Sequence, residues 1–389
     1  MDCAKGATCM ELNCTQDLAE MRPAIRRFVK ERMEPLARSI DATGVIPESV
    51  TAEMHDQGYL GMLLPSDFGG GEFNLSTYCL VMEEMGRSHR VFTLMMDASS
   101  GLTPNAISKF GSAEQRNKYL TKLAQGTWSA SFGLTEPDAG SDAGAISTKA
   151  EKRDGGWVIN GFKHYISGAH RAQVIMLLAV TDTSKRSRGG ITAFLVDKGT
   201  TGMSIDRVDK TIGSDPIQLS EIRLNECFVP DDAVLGEVGQ GFAIAMSSLV
   251  SGRMGVSSAC IGTADRLIEM AVAHAKTRQT FGKPLAERQA IQWMLADAAV
   301  ELSLARALAY ETLRRIDAGE EVGSAPSMVK LFCSEMVGRV ADSAVQIFGG
   351  AGLIRGVPVE RFYRDVRHYR IGEGASEVQR MLIARELFK

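Results

Sequence analysis

Glu373 lies in the run Arg370-Ile371-Gly372-Glu373-Gly374-Ala375-Ser376-Glu377-Val378-Gln379-Arg380, a single carboxylate between two glycines. Glycine removes side-chain bulk, so a substrate and a flat cofactor can both approach that carboxylate closely. A group so placed suits general-base work, the removal of a proton from the carbon beside a carbonyl. The element that must position it follows at once. Val378, Met381, Leu382 and Arg385 recur at helical spacing, and Ser376 with Gln379 predicts a capping box at the helix start. Glu373 then falls outside the helix, at its positive end. Taken alone, the run reads first as a C-terminal loop whose acid caps a helix, because acids are enriched there.

A run far upstream changes that balance: Phe132-Gly133-Leu134-Thr135-Glu136-Pro137-Asp138-Ala139-Gly140-Ser141-Asp142-Ala143-Gly144. Two more lie between, Arg278-Gln279-Thr280-Phe281-Gly282 and Ala344-Val345-Gln346-Ile347-Phe348-Gly349-Gly350-Ala351-Gly352. In these motifs and their order the chain resembles the acyl-CoA dehydrogenases, flavoenzymes that introduce an α,β double bond into acyl-CoA thioesters. The resemblance runs from about Gln16 to Lys389. It implies an α+β fold with an N-terminal helical domain, a middle β-barrel-like domain and a C-terminal four-helix bundle that builds a homotetramer. It implies FAD as cofactor, since no side chain can accept the β-hydride. An acyl-CoA substrate and an electron-transfer flavoprotein-like acceptor are implied with it.

The resemblance carries residue roles with it. Glu373 is the implied base, and its own backbone amide a donor to the developing enolate oxygen. Flavin contacts fall on Phe132, Leu134 and Thr135, on Tyr165, Ile166 and Ser167, and on Ala375 and Glu377 near the base. Arg278, Phe281, Gln289, Gln346 and Gly350 match positions that bind the diphosphate and adenosine end across a subunit interface. An Arg fork donates to phosphate in pairs, and a glycine permits close approach. Ser141 and Arg253 match positions that contact the coenzyme A portion, and Gly372 and Gly374 line the substrate. Outside the motifs, Thr135 and Ser167 read as ordinary turn residues, and Arg278 as a helix C-cap.

Four departures shape the expectations. Gly372 stands where straight-chain enzymes carry Tyr, which opens the wall beside the reacting carbons to branched or cyclic acyl groups. Tyr165 replaces a usual Trp, Ala375 a common Thr, and Gly356 a usual acidic residue. An acyl-CoA oxidase, a carrier-protein-linked acyl dehydrogenase and a non-redox flavin-binding protein share the scaffold as alternatives. His164 and His368 lie near the expected site and read as structural.

Composition adds boundaries. The chain has 389 residues, 44% of them hydrophobic, enough for a large core and two or three domains. A net charge of −3 with mixed signs offers no footprint for nucleic acid. No stretch reaches the roughly 18 uninterrupted apolar residues of a membrane span. Without an apolar signal core, and with Asp2, Glu11 and Asp17 near the start, a cytoplasmic location is expected. Seven cysteines argue against a disulfide framework. Cys3, Cys9 and Cys14 cluster without a fourth ligand, so no metal is expected; Cys79, Cys227, Cys260 and Cys333 read as core.

The hydrophobic period changes twice along the chain. A helical pattern fills 1–125, where Met82, Met85, Ile107 and Phe110 recur and Pro65 to Gly71 punctuates. Short β runs fill 126–235, among them a hairpin signal at Trp157-Val158-Ile159-Asn160-Gly161 and apolar runs from Val174 to Val180 and Ile191 to Val196. Long helices return in 236–389, over roughly 241–277, 285–317 and 325–348. Strands and helices do not alternate, and no Gly-x-Gly-x-x-Gly opens a helix, so nicotinamide binding through a Rossmann unit is disfavoured.

Overall fold

The computed structural model describes residues 16–213 and 216–389, so Cys3, Cys9 and Cys14 lie outside the described residues. In chain order the first elements are helices α1 (Gln16–Phe28), α2 (Glu34–Thr43), α3 (Glu48–Asp56), α4 (Leu75–Met85), α5 (Arg90–Ser100), α6 (Leu102–Phe110) and α7 (Ala113–Ala124). Strands β1 (Ala130–Gly133), β2 (Lys149–Arg153), β3 (Gly156–Ser167), β4 (Val174–Val180), β5 (Ile191–Asp197), β6 (Met203–Asp209), β7 (Leu219–Pro230) and β8 (Val234–Leu235) follow. Then come α8 (Gly241–Thr277), the hairpin β9 (Gln279–Thr280) and β10 (Lys283–Pro284), α9 (Gln289–Asp317), α10 (Ala325–Phe348), α11 (Pro358–Val366) and α12 (Ser376–Leu387). The chain forms two compact bodies. Residues 16–38, Leu75–His89 and Arg253–Lys389 make one, and Ser39–Asn74 with Arg90–Gly252 the other.

In the sheet-containing body, strands run in the order β6-β7-β3-β2-β4-β5-β8, with β1 parallel to β4. The apolar runs explain why this sheet is covered on both sides. Along β4, Val174, Met176, Leu178 and Val180 face a core shared with Ile107 of α6, Leu120 and Leu123 of α7, and Ile244. The alternate residues Ile175, Leu177 and Ala179 enter a second core with Ile159, Ile222 and Leu224. A strand buried on both faces needs a continuous apolar run rather than alternation. The β2–β3 hairpin turns at Asp154 and Gly155 (φ +73°), and Trp157 to Gly161 lie inside β3.

The helical body packs α10 against α9, α11 and α12, and α1 and α4 against each other. Its interior carries a charged lock. Glu83 and Glu84 of α4 are buried, and Arg22 reaches them at 2.8 and 2.6 Å while Arg26 binds Glu84 at 2.9 Å and Arg306 binds Glu83 at 3.1 Å. Burial pushes the Glu83 carboxyl up, but Arg22 and Arg306 outweigh it and leave the group below the usual carboxylate range. Helix α8 is long and apolar enough to cross a membrane, yet 72% of its most apolar stretch is buried inside the protein. It is a core helix. Cys79, Cys227, Cys260 and Cys333 are buried free thiols, as core packing requires.

Candidate active site

Glu373 occupies the turn between a short helical segment, Arg367–Arg370, and α12. Its φ is +57° and that of Gly374 is +92°. A left-handed conformation costs a non-glycine residue of order 1–3 kcal/mol and persists only where its surroundings over-determine it. Those surroundings are visible. Lys330 of α10, fully buried, donates from Nζ to the Gly374 carbonyl at 2.7 Å. Gln379 donates from Nε2 to the same carbonyl at 2.9 Å and to that of Glu373 at 3.2 Å. The expected capping box is therefore corrected. Ala375 is the N-cap without a side-chain bond, and Ser376 Oγ donates to Glu335 at 2.7 Å. Gln379 reaches past the N-cap because loop carbonyls, not helix amides, lie within its span.

Of the two glycines beside Glu373, Gly374 is demanded by its left-handed φ, and both sit close to side chains. A β-carbon on Gly374 would lie 2.6 Å from Gln379 Nε2, and one on Gly372 would lie 2.5 Å from His368 Nε2. The His368 imidazole thus lies against the spot from which a side chain at 372 would have to start. Charge gathers around the carboxylate. Arg253 of α8 is close enough to feel Glu373, although burial dominates and lowers its affinity for a proton. Burial pulls the Lys330 ammonium down to about 8, Cys260 and Glu373 oppose that shift, and Arg253 adds to it. Arg253, expected at coenzyme A, thus stands in the electrostatic field of Glu373. Glu377 is exposed in the first turn of α12.

In the sheet-containing body, the two expected flavin-edge segments are brought together. His164 N donates to the Thr135 carbonyl at 2.9 Å, and Ser131 Oγ to the Ser167 carbonyl at 2.8 Å. This sets the Phe132–Thr135 run against the end of β3. The β3–β7 register slips between Lys163 and Ile166, and at that bulge Tyr165 takes φ +58°. The bulge turns the ring outward, 58% exposed and stacked on His164 at 3.7 Å, while Ile166 points into the core. Ser141 is exposed in the same motif. Beneath the run lies a buried pair, Lys163 Nζ to Glu136 at 2.7 Å.

At the far end of α8, Arg278 is exposed, and Phe281 at the tip of the β9–β10 hairpin is 98% exposed with φ +49°. Arg288 lies 5.6 Å from its ring centre. His274 stacks on Phe348 at 4.3 Å, which joins the end of α8 to the end of α10, where Gln346 and Gly350 are exposed. Gln289 opens α9. These groups fit a flavin dinucleotide: an Arg fork and a bare glycine suit its diphosphate, and Phe281 offers a largely exposed ring.

Six non-glycine residues have positive φ among the described residues, and Tyr165, Phe281 and Glu373 are three of them. Arg186 is a fourth. Residues held in this conformation cluster at functional sites, where their surroundings over-determine them. In the sequence Lys330 and Lys163 read as ordinary surface or core residues, and His368, near the expected site, reads as structural.

Sequence models of one family cover almost the whole described chain: acyl-CoA dehydrogenase N-terminal domain over residues 15–127, middle domain over 131–227 and C-terminal domain over 239–388. The 3-(aryl)acrylate reductase of Clostridium sporogenes is 36% identical over 95% of this chain and 98% of its own. Butyryl-CoA dehydrogenase from Megasphaera elsdenii superposes with a TM-score of 0.91 at 33% identity, over 98% of this chain and 100% of that one. An FAD complex of PigA gives 0.92 at 28% identity, over 97% and 99%. The chain belongs to the acyl-CoA dehydrogenase family, FAD-dependent oxidoreductases that act on the CH–CH bond of acyl thioesters.

Proposed function

We propose that Glu373 is the general base that takes the α-proton of an acyl thioester, and that its left-handed, glycine-flanked turn is the feature that fits it for the task. Bound FAD supplies the hydride acceptor. In the left-handed turn the Glu373 backbone amide is a candidate donor to the enolate oxygen. The neighbouring cations Arg253 and Lys330 favour the ionised carboxylate a base needs. Phe132, Leu134, Thr135, Tyr165, Ile166, Ser167, Ala375 and Glu377 are the proposed flavin contacts. Arg278, Phe281, Gln289, Gln346 and Gly350 take the dinucleotide end in a homotetramer, where the exposed Phe281 ring gains a cover. A cytoplasmic location and reoxidation by an electron-transfer flavoprotein complete the reading.

The acyl group is read as short, branched or cyclic, because Gly372 carries no side chain and His368 is the group beside it. The aryl substrate named for the Clostridium relative accords with this. The test is anaerobic mixing of the FAD-loaded protein with straight, branched and cyclic acyl-CoAs, following flavin absorbance. Branched or cyclic thioesters are expected to bleach it fastest. Bleaching only by straight chains overturns the substrate class, and bleaching by none overturns dehydrogenation of coenzyme A esters.

Coenzyme A, rather than a carrier protein, is favoured by a cavity of about 540 Å³ lined by Gly144, Lys185, Arg186, Ser187 and Arg188, with Asp142 opposing them. Its three cations suit the phosphates of the nucleotide portion. Charge-assisted bonds of about 1.5–3 kcal/mol each predict that Arg186→Glu with Arg188→Glu raises KM for acyl-CoA by at least about tenfold. KM for the matching acyl-pantetheine, which lacks the nucleotide, should not move. Equal effects on both would remove the cavity from substrate binding.

A further inference from the structure

A second residue of the helical body does a task that the base alone cannot explain. Lys330 sits mid-helix in α10, fully buried, and its ammonium points at a peptide carbonyl, that of Gly374. Buried lysines normally meet a carboxylate. Lys163, equally buried, does so at 2.7 Å from Glu136. No carboxylate pairs with Lys330 among the described residues. Taking an ammonium out of water for one neutral acceptor is unfavourable unless that acceptor matters. The acceptor here belongs to the turn that carries Glu373, and Gln379 aims a second donor at the same oxygen.

Resting on the reading of Glu373 as the base, we infer that Lys330 is a positioning residue for it: with Gln379, it clamps the Gly374 carbonyl and so holds the turn left-handed, presenting the carboxylate to the α-carbon. The geometry of a flipped turn shows what is at stake. If the Gly374 peptide rotated, its carbonyl would leave both donors, and the turn would lose the bonds that tie Gly374, left-handed at φ +92°, to α10 and α12 beside the carboxylate. A misplacement of about 1 Å at a reacting group can cost about 100-fold in rate. The charge matters as well as the bond. Groups facing Lys330 are Arg253 and Cys260 from α8, Glu335 from its own helix and Glu373 from the turn. Glu335 is bound to Arg370 at 2.8 Å and to Ser376 at 2.7 Å, and the Glu373 carboxylate is among the groups whose charge acts on the ammonium.

The test uses the FAD-loaded protein and its Lys330→Met variant, which keeps length and apolar contacts while deleting charge and donor. Two readouts are expected to move. Backbone amides of Gly372 and Gln379, bonded to the His368 and Ala375 carbonyls either side of the turn, should exchange with solvent at least about tenfold faster, because the turn opens locally. In the pH profile of kcat/KM for a reducing acyl-CoA, the apparent pKa of the base should rise, and kcat should fall about 100-fold with a smaller change in KM. Gln379→Leu, which removes the second donor and leaves the charge, should speed exchange without the rise in pKa. This variant decides the matter should Lys330→Met fail to fold: unchanged exchange in it overturns the clamp. In folded Lys330→Met, wild-type exchange and a wild-type pKa overturn the inference. If no thioester reduces the wild-type flavin, the assignment of Glu373 fails, and the exchange rates still report whether Lys330 holds the turn.

Discussion

Glu373→Gln is expected to slow anaerobic flavin bleaching by the best acyl-CoA by about 10⁴-fold, the upper range for removal of a positioned base. The substitution should leave the backbone of the turn in place. Gln has the shape of Glu, and the turn is held through main-chain carbonyls: Lys330 and Gln379 bond the oxygens of residues 373 and 374, not the carboxylate. FAD content and thioester binding should therefore stay near wild type. An amide cannot accept the α-proton at any accessible pH, so raising pH should not restore the rate. Stopped-flow bleaching across pH with one thioester measures this. A variant within tenfold of wild type would move the base elsewhere, and Arg253 cannot replace it, because its guanidinium holds its proton.

The expected loss depends on a geometry of which the sequence displayed only part. The two glycines around Glu373 announced a tight, open turn, and α8 and α10 have the bounds their periodicity predicts. Helix α9 begins at Gln289 rather than near 285 because Leu285–Glu287 form a single 3₁₀ turn after the β9–β10 hairpin. Burial hid the rest. Lys330 stands among Val329, Cys333 and Met336 in a helix whose buried side only tertiary packing defines, and lysine in such a pattern reads as solvent-facing. Ser376 and Gln379 have the spacing of a capping box, and spacing cannot reveal that the amide reaches a loop carbonyl instead. Tyr165 and Phe281 adopt backbone conformations that their residue types disfavour, so no local signal announces them. They become visible only when the β3 bulge and the hairpin tip are in view.

A comparable hidden support lies under the flavin-edge run, and removing it should have the largest effect on stability. Glu136→Ala is expected to destabilise the sheet-containing body by about 3–5 kcal/mol, the usual consequence of breaking a buried pair from one side. The Glu136 carboxylate accepts from Ser147 N at 2.6 Å, Ser147 Oγ at 2.8 Å, Thr148 N at 3.0 Å and Lys163 at 2.7 Å. Without it, the buried Lys163 ammonium keeps only the Leu134 carbonyl at 3.1 Å, and Leu134 belongs to the flavin-edge run itself. FAD occupancy should therefore fall with stability. Lys163→Met should be milder, because three donors still satisfy the carboxylate. The double variant should recover part of the loss, as paired removal leaves no buried charge. The pH dependence has a definite sign. Burial raises the Glu136 carboxyl, but Lys163 and the donors from 147 and 148 more than offset this and hold it down at about 2. A carboxyl depressed in the folded state contributes its stability in full above the ordinary value, and loses it as pH falls toward about 2. Urea titrations at pH 7 and pH 3 should therefore show a smaller gap between wild type and Glu136→Ala at the lower pH. A gap that is constant or widens in acid would mean that the charge on Glu136 does not hold the run in place.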